Sequence, residues 1–448
     1  FENGVGLYAS WEPGQIHDRI FAELGIDPPE VRPLEPSYVV RLPDQSEVSV
    51  SSDTNAFEHT LRTNFPECTN EATAFYREAF VLGNALLRAA NRVPDLRTAN
   101  GFRRTRAFLP DLNIAARLRG LLNHTAQQHL EETSPRFRQF IDAQLQMFAQ
   151  CGADSCAYLY ACVALTLPRR GLFAIRGGAA TLAEKLLQAI KKHGGTVRLD
   201  TTALRLSYDS AGKAVGVDLL SGATVDASRA IVSNLTVWDT YGKLVGLNRT
   251  PPEIRKRLGA LRGWGAYLVY LGVDESAAAR LPANQILALT GITNDGLHDP
   301  SAGQFTLAAA PVWDPRGPAG RRAVTVHMFT DVDEWFTFHK DETEHEEKDQ
   351  AMLESLWQRL HESIPELGDG AEVIETATPR TYYEQTRRKL GMVGGVGQAT
   401  EVFGPNSLDQ RTEIPNLYMV GDTTFPGAGV AAVSQSALIV ANEIARER

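Results

Sequence analysis

The apolar, strand-length run Asn416-Leu417-Tyr418-Met419-Val420 leads directly into Gly421-Asp422, then Pro426-Gly427-Ala428-Gly429, then helical spacing from about Val430. Each residue type in this order can serve ligand binding. Glycines let a backbone approach a ligand closely. The first turn of a helix offers free N–H groups and a partial positive charge. A carboxylate at the end of the strand, here Asp422, can accept hydrogen bonds from ligand hydroxyls. The same pattern also suits an ordinary tight strand-turn-helix connection, so at this level both readings stand.

Other reactive side chains offer less. Cys68, Cys151, Cys156 and Cys162 are too few for a disulfide scaffold in 448 residues. The last three share an apolar stretch without nearby histidine, so buried thiols fit better than a zinc site. His339 and His345 fall in an acid-rich stretch, residues 331–349, that reads as a solvated face. No catalytic triad or carboxylate pair stands out, and no catalytic base is assigned.

The elements that must position the glycine-rich turn belong to a large, ordinary globular chain. Its length allows about three domains, with 43% apolar and 22% charged residues. A net charge of −9, from 45 basic and 54 acidic side chains, gives no overall field attracting nucleic acid. No run reaches the roughly 18–20 apolar residues of a spanning helix, and residues 157–167 read as a buried core helix. No secretory leader is seen, and a reducing, cytoplasmic setting is expected. Phe1-Glu2-Asn3-Gly4 reads as mid-strand and turn without an initiator methionine, so the span is expected to lack a preceding unit.

Ile16, Ile20, Phe21 and Leu24 have helical spacing, stopped by Pro28-Pro29. Residues 38–42 and 46–50 read as a strand pair. Residues 55–165 read as mostly helical, with periodic segments at 71–91, 112–131 and 136–150. A helix behind Gly177-Gly178 ends at His193-Gly194-Gly195. Short strands follow at 196–199, 203–206 and 214–217, then a buried strand at 230–234. Strands at 265–275 and 322–330 and a helix over 344–364 complete the middle. Alternation of helix, meander and buried strand predicts an α/β fold.

Several pieces carry a family resemblance: Glu12-Pro13-Gly14-Gln15-Ile16-His17, Arg176-Gly177-Gly178, Ala377-Thr378-Pro379-Arg380-Thr381, Val393-Gly394-Gly395-Val396-Gly397-Gln398 and the Gly421–Gly429 turn. With them the chain resembles the phytoene-desaturase-like, amine-oxidase-like FAD-dependent oxidoreductases, nearest the carotenoid 3,4-desaturases (C-3′,4′ desaturases). The resemblance implies an FAD-binding Rossmann-like domain of glutathione-reductase/amine-oxidase type, with a mixed-sheet and helical substrate domain. The flavin domain would comprise residues 1–30, 165–255 and 375–448, the substrate sheet 31–60 and 256–374, and a helical, membrane-facing lid 61–164. It also implies cofactor roles for particular residues. Gly421 and Gly427 would shape the turn and Asp422 would meet the ribityl chain or pyrophosphate. Gly429 and Val430 would place amides near the flavin pyrimidine edge, and the Ala203 backbone would meet the adenine. Glu2 stands where the family usually has aspartate, close to the flavin-facing turn at Gly4. The family's opening strand, G-x-G-x-x-G turn and ribose-binding acid find no match here. FAD is therefore expected for the full-length protein, with weak or no binding by this span alone.

The implied reaction removes hydrogen from a carotenoid, most simply at the 3,4 bond of an acyclic or 1-hydroxylated end, as hydride to flavin N5. Electrons would pass on to a quinone or oxygen. A phytoene- or lycopene-type desaturase, a carotene isomerase, a retinol-saturase-like enzyme and a flavin-free carotenoid or lipid carrier are the alternatives. A C40 polyene dissolves in membranes, and residues 102–122 interleave Arg103, Arg104, Arg106, Arg117 and Arg119 with apolar side chains. That composition suits a peripheral membrane contact as well as a surface helix packed on its own domain.

Overall fold

A computed structural model describes residues 1–2, 4–290, 303–336 and 342–446, without the side chain of residue 342; His339 lies outside them. The first portion runs β1 (Tyr8–Ala9), α1 (Ile16–Leu24), β2 (Val31–Leu34), β3 (Tyr38–Arg41) and β4 (Glu47–Val50). Gly25, in the left-handed conformation with φ +61°, ends α1. A helical layer follows: α2 (Thr54–Asn64), α3 (Thr69–Arg92), α4 (Gly101–Ala107), α5 (Leu112–Gly120), α6 (Pro135–Ala149) and α7 (Tyr158–Arg170). Polar side chains fix where these helices start. Asp53 caps α2, Asn100 caps α4, and Ser134 caps α6 with Pro135 in its first turn. The buried faces interleave Phe57, Phe65, Phe75, Phe137 and Phe140 into one core. Deleting one such ring typically costs about 3–5 kcal/mol.

The middle holds β5 (Leu172–Ile175), α8 (Gly178–Lys192), β6 (Ala203–Tyr208), β7 (Ala214–Leu219), β8 (Thr224–Asp226), β9 (Ile231–Ser233), α9 (Val237–Asp239) and α10 (Pro252–Ala260). Then come β10 (Gly265–Asp274), α11 (Glu275–Ala278), β11 (Gln285–Leu289), β12 (Gln304–Ala309), β13 (Arg321–Thr330) and α12 (Glu342–Ser363). The chain closes with β14 (Ala371–Ala377), α13 (Pro379–Thr386), β15 (Leu417–Met419) and α14 (Val430–Arg446).

One seven-stranded sheet, in order β14-β10-β13-β12-β11-β3-β4, dominates; only its β11–β3 pairing is parallel. Side chains alternate between its faces. Val324, Val326 and Met328 join Tyr267, Val269 and Leu271 in a core with Leu356, Leu360 and Ile364 of α12 and the residues after it. The other face carries the paired row Leu268, His327, Thr306 and Leu287. It packs on the helical layer through Met147, whose Sδ accepts from Thr306 Oγ1 at 3.8 Å.

The remaining strands make three small sheets: β1-β5-β2, the meander β6-β7-β8 and the parallel pair β9-β15. β9 has no strand on its outer edge among the described residues, and Val232 there is 45% exposed. Nearby in sequence, α8 buries only Gly178 and Ala189, leaving Leu186 and Ile190 exposed. A parallel pair of two strands is below the usual size of such sheets, which bury both faces.

Some expectations fail locally. Residues 112–131 do not form one helix. α5 ends at Gly120, and Gln127–His129 is a separate 3₁₀ turn. Residues 196–199 form no strand. Phe1 and Glu2 lie outside any strand, β1 beginning only at Tyr8. Cys68, Cys156 and Cys162 are buried and Cys151 half-buried, all as free thiols. His345 packs against Trp335, ring centroids 5.6 Å apart. Among the described residues no helix is long and apolar enough to cross a membrane.

Candidate cofactor and active site

β15 delivers the chain to Gly421, whose φ of +116° is accessible to glycine and strained for other residues. Asp422 follows and receives a hydrogen bond from Arg388 Nη2 at 2.7 Å, both side chains about a fifth exposed. Arg388 Nε also donates to the Met392 carbonyl at 2.6 Å. The loop carrying Met392 thereby lies against the turn. Gly395, at φ +87°, packs so closely that an added Cβ would collide with the Asp422 carbonyl oxygen. Thr423 Oγ1 accepts from the Val237 amide at 3.0 Å, and Thr424 Oγ1 contacts the Gly421 carbonyl and Ser436 Oγ at 2.9 Å each. These bonds leave the turn few ways to relax.

Gly427 and Gly429 also have positive φ, +124° and +95°. An added Cβ at Gly427 would press on the Gln398 amide, whereas at Gly429 it meets nothing within 4 Å. α14 then starts, and its first amides (Val430, Ala431 and Ala432) have no acceptor among the described residues. Space, unpaired amides and the helix dipole therefore coincide at one point, which is what an anionic or carbonyl-rich ligand edge requires.

α8 also follows paired glycines, yet its start is filled. Gly177 N donates to Asp314 Oδ2 at 2.7 Å and Ala179 N to Glu2 Oε2 at 3.4 Å. Arg316 bridges the two acids, 2.8 Å from each, and Tyr8 OH donates to Glu2 Oε2 at 3.0 Å. The Glu2 carboxylate is thus committed to protein partners. Burial and the nearby Glu2 charge push the Tyr8 hydroxyl above its usual range.

The sequence-derived candidates accordingly separate into three places. Gly421, Asp422, Gly427, Gly429 and Val430 share the turn before α14. Glu2 belongs to the α8 plug, and Gly4 precedes β1 with open space beside it. Ala203 is exposed at the first position of β6, in the meander. Sequence reasoning missed Arg388, Asp314 and Arg316. Arg388 lies 34 positions from Asp422, and Arg316 lies 314 positions from Glu2, so spacing carried no signal for either contact.

A flavin is the group this turn implies, and orphaned atoms test the fit. Trp11 Nε1 and Glu12 Oε2, between β1 and α1, and His17 Nε2, in the first turn of α1, are buried without a partner among the described residues, and both elements pack on α14. Unpaired buried polar atoms cost roughly 1–3 kcal/mol each. Trp11 stacks on His17, centroids 4.3 Å apart, and burial lowers the imidazole pKa to about 4, keeping it neutral. The glycine cradle, the free amides and these unmatched polar atoms fit the isoalloxazine and ribityl portion of a flavin.

Comparison with solved structures gives the fold. An oxidoreductase from Methanosarcina mazei superposes over 99% of this chain and 90% of its own, TM-score 0.61 at 14% identity. Cyclohexylamine oxidase from Brevibacterium oxydans superposes over 99% and 87%, TM-score 0.56 at 13% identity. The chain thus has the α/β fold of amine-oxidase-type oxidoreductases. No family model matches it. Among curated proteins, prolycopene isomerase of Daucus carota is 25% identical over 423 residues, covering 92% of this chain and 67% of that protein. All-trans-retinol 13,14-reductase of Danio rerio is 26% identical, covering 59% and 49%. All-trans-zeta-carotene desaturase of Myxococcus xanthus is 26% identical, covering 62% and 53%.

Proposed function

We propose that this chain forms the body of an FAD-dependent oxidoreductase that modifies a carotenoid polyene. The observation carrying the reading is the open amino end of α14 above a glycine cradle. The named relatives, all acting on carotenoids or retinol, support the substrate class. Within that class the sequence motifs favour desaturation at the 3,4 bond of an acyclic or 1-hydroxylated end. Residues 1–30, 165–255 and 375–448 would form the flavin domain, with the outer edge of β9 and the uncovered stripe of α8 open to a further strand-and-helix unit.

Bound flavin would supply a hydride acceptor. The chain's own residues do the rest. The Val430, Ala431 and Ala432 amides orient the ring edge, and Arg388 holds Asp422 in place for the ribityl hydroxyls. The seven-stranded sheet and helical layer exclude water from a polyene between them. At the surface, Phe102, Leu109 and Leu112 are 78, 57 and 52% exposed beside exposed Arg104, Arg106 and Arg119. These residues would rest on an anionic membrane, where the substrate dissolves. Sedimentation with anionic and zwitterionic vesicles tests that contact, and a Phe102→Ser/Leu112→Ser variant should lose it.

The deciding experiment is flavin analysis of the full-length protein, then anaerobic incubation with phytoene-type, lycopene-type and 1-hydroxylated carotenoids and with all-trans-retinol. Flavin bleaching with a new conjugated double bond supports desaturation. Isomerised product with no net oxidation supports the isomerase alternative. A protein that binds polyene but no flavin is a carrier, and the proposal then fails.

A further inference from the structure

One buried ionisable group lies on the sheet face turned toward the helical layer, away from any charged partner. His327 lies mid-strand on β13, between Leu268 of β10 and Thr306 of β12, on the face turned toward the helical layer. It is 6% exposed, and among the described residues its ring meets its own backbone and hydrogen-bonds to no other side chain. Thr325 and Phe329 flank it on the same face, and its ring lies edge-on to Phe329 with centroids 4.9 Å apart. The neighbours along its row and face are therefore uncharged.

A continuous set of contacts links this position to the cofactor turn. The Phe329 ring faces Trp264, 6.2 Å between centroids. The Trp264 carbonyl accepts from the Val393 amide at 2.8 Å, and two residues later Gly395 abuts Asp422. The same interlayer holds Gln150 Oε1, buried without a partner, whose amide nitrogen donates to the Val393 carbonyl at 3.2 Å. Gln285 Oε1, on the same sheet face beside Thr325, is likewise unpartnered and borders a small cavity of about 20 Å³. Unmatched polar atoms between a sheet and its covering helices point to a layer that opens for a ligand.

From this placement we infer that His327 is the proton-accepting residue of the polyene oxidation. The inference rests on the functional reading proposed above. Introducing a double bond breaks two C–H bonds on adjacent carbons. One hydrogen leaves with its electron pair, as hydride to the oxidised flavin. The other leaves as a proton to an imidazole nitrogen of His327, and the electrons of that second bond become the new π bond. The imidazolium then releases its proton to solvent when product leaves. Burial lowers the His327 pKa to about 4, so the ring rests neutral with a free lone pair. So weak a base suffices because a polyene carbocation is a far stronger acid than imidazolium. A stronger base, protonated at rest, could not act.

The test uses the full-length flavoprotein and two variants, His327→Leu and His327→Gln. Both should keep wild-type flavin content and KM while kcat falls about 10²-fold or more. Part of the product should become a water-trapped alcohol instead of an alkene. Independently of turnover, ring resonances of ¹⁵N-histidine-labelled protein assigned to His327 should shift when a detergent-solubilised carotenoid is added. Either variant retaining at least half of wild-type kcat with alkene as sole product overturns the inference alone, as does a ring unmoved by saturating carotenoid. A wild-type flavoprotein that oxidises no polyene overturns the functional reading, and the proton role with it.

Discussion

Two helices, α8 and α14, begin behind glycines with positive φ, and both present the dipole of a long helix, yet only one can receive a ligand. At α8 two carboxylates, Glu2 and Asp314, occupy the first amides, and Arg316 neutralises them. At α14 the corresponding amides find no acceptor among the described residues, and a Cβ added at Gly429 would meet nothing within 4 Å. The helix end alone therefore decides nothing. What decides is whether distant segments bring a side-chain acceptor to it.

The comparison can be broken most sharply through the glycines. Gly395→Ala would drive a Cβ into the Asp422 carbonyl at a backbone angle disfavoured for alanine. The expected loss is about 4 kcal/mol in chemical denaturation, with flavin affinity falling at least 100-fold. Wild-type flavin binding in this variant would detach the Gly395 loop from the site. Next, Arg316→Ala would leave Glu2 and Asp314 mostly buried and unneutralised at α8. A stability loss of about 3 kcal/mol is expected, with flavin affinity in the full-length protein changed less than threefold. A large affinity loss would mean that α8 also serves the cofactor.

Acid sharpens the contrast further, because α1, which carries His17, packs on α14. Its folded pKa of about 4 lies below the ordinary 6.5, so the unfolded chain binds the proton more readily. Stability contributed by neutral His17 is complete above about pH 6.5 and declines as pH falls toward 4, by about 3 kcal/mol in all. Urea titrations at pH 7.5 and 4.5 should show wild type losing more than His17→Phe by about that amount. Equal losses would remove burial of a neutral imidazole as the cause. The smallest stability effect belongs to Gly429→Ala, with nothing near the added methyl. It should cost about 1–2 kcal/mol of backbone strain, yet weaken flavin about tenfold by filling the space left for the ring.

Much of the local architecture was legible. The apolar spacing of Ile16, Ile20 and Phe21 fixed α1, alternating residues fixed the β3–β4 hairpin, and the Gly421–Gly429 pattern marked the turn before α14. Residues 112–131 misled because their periodicity continues through Gly120, where propensity and packing end the helix. Thr196-Val197-Arg198-Leu199 has strand-forming residues but pairs with no strand among the described residues. Strand propensity without a partner edge does not make a strand.

Within the site, Gly421, Asp422, Gly427, Gly429 and Val430 came together because they are close in sequence and the helix imposes their geometry. Glu2 did not join them. Arg316 and the α8 amides, more than 170 residues away, give its carboxylate better partners than any local group could. Local propensity and glycine placement thus fixed the cradle, since backbone conformation depends on a few neighbouring residues. Which helix end stayed vacant, and where a neutral histidine came to lie, depended on long-range contacts formed only when the sheets and helices packed.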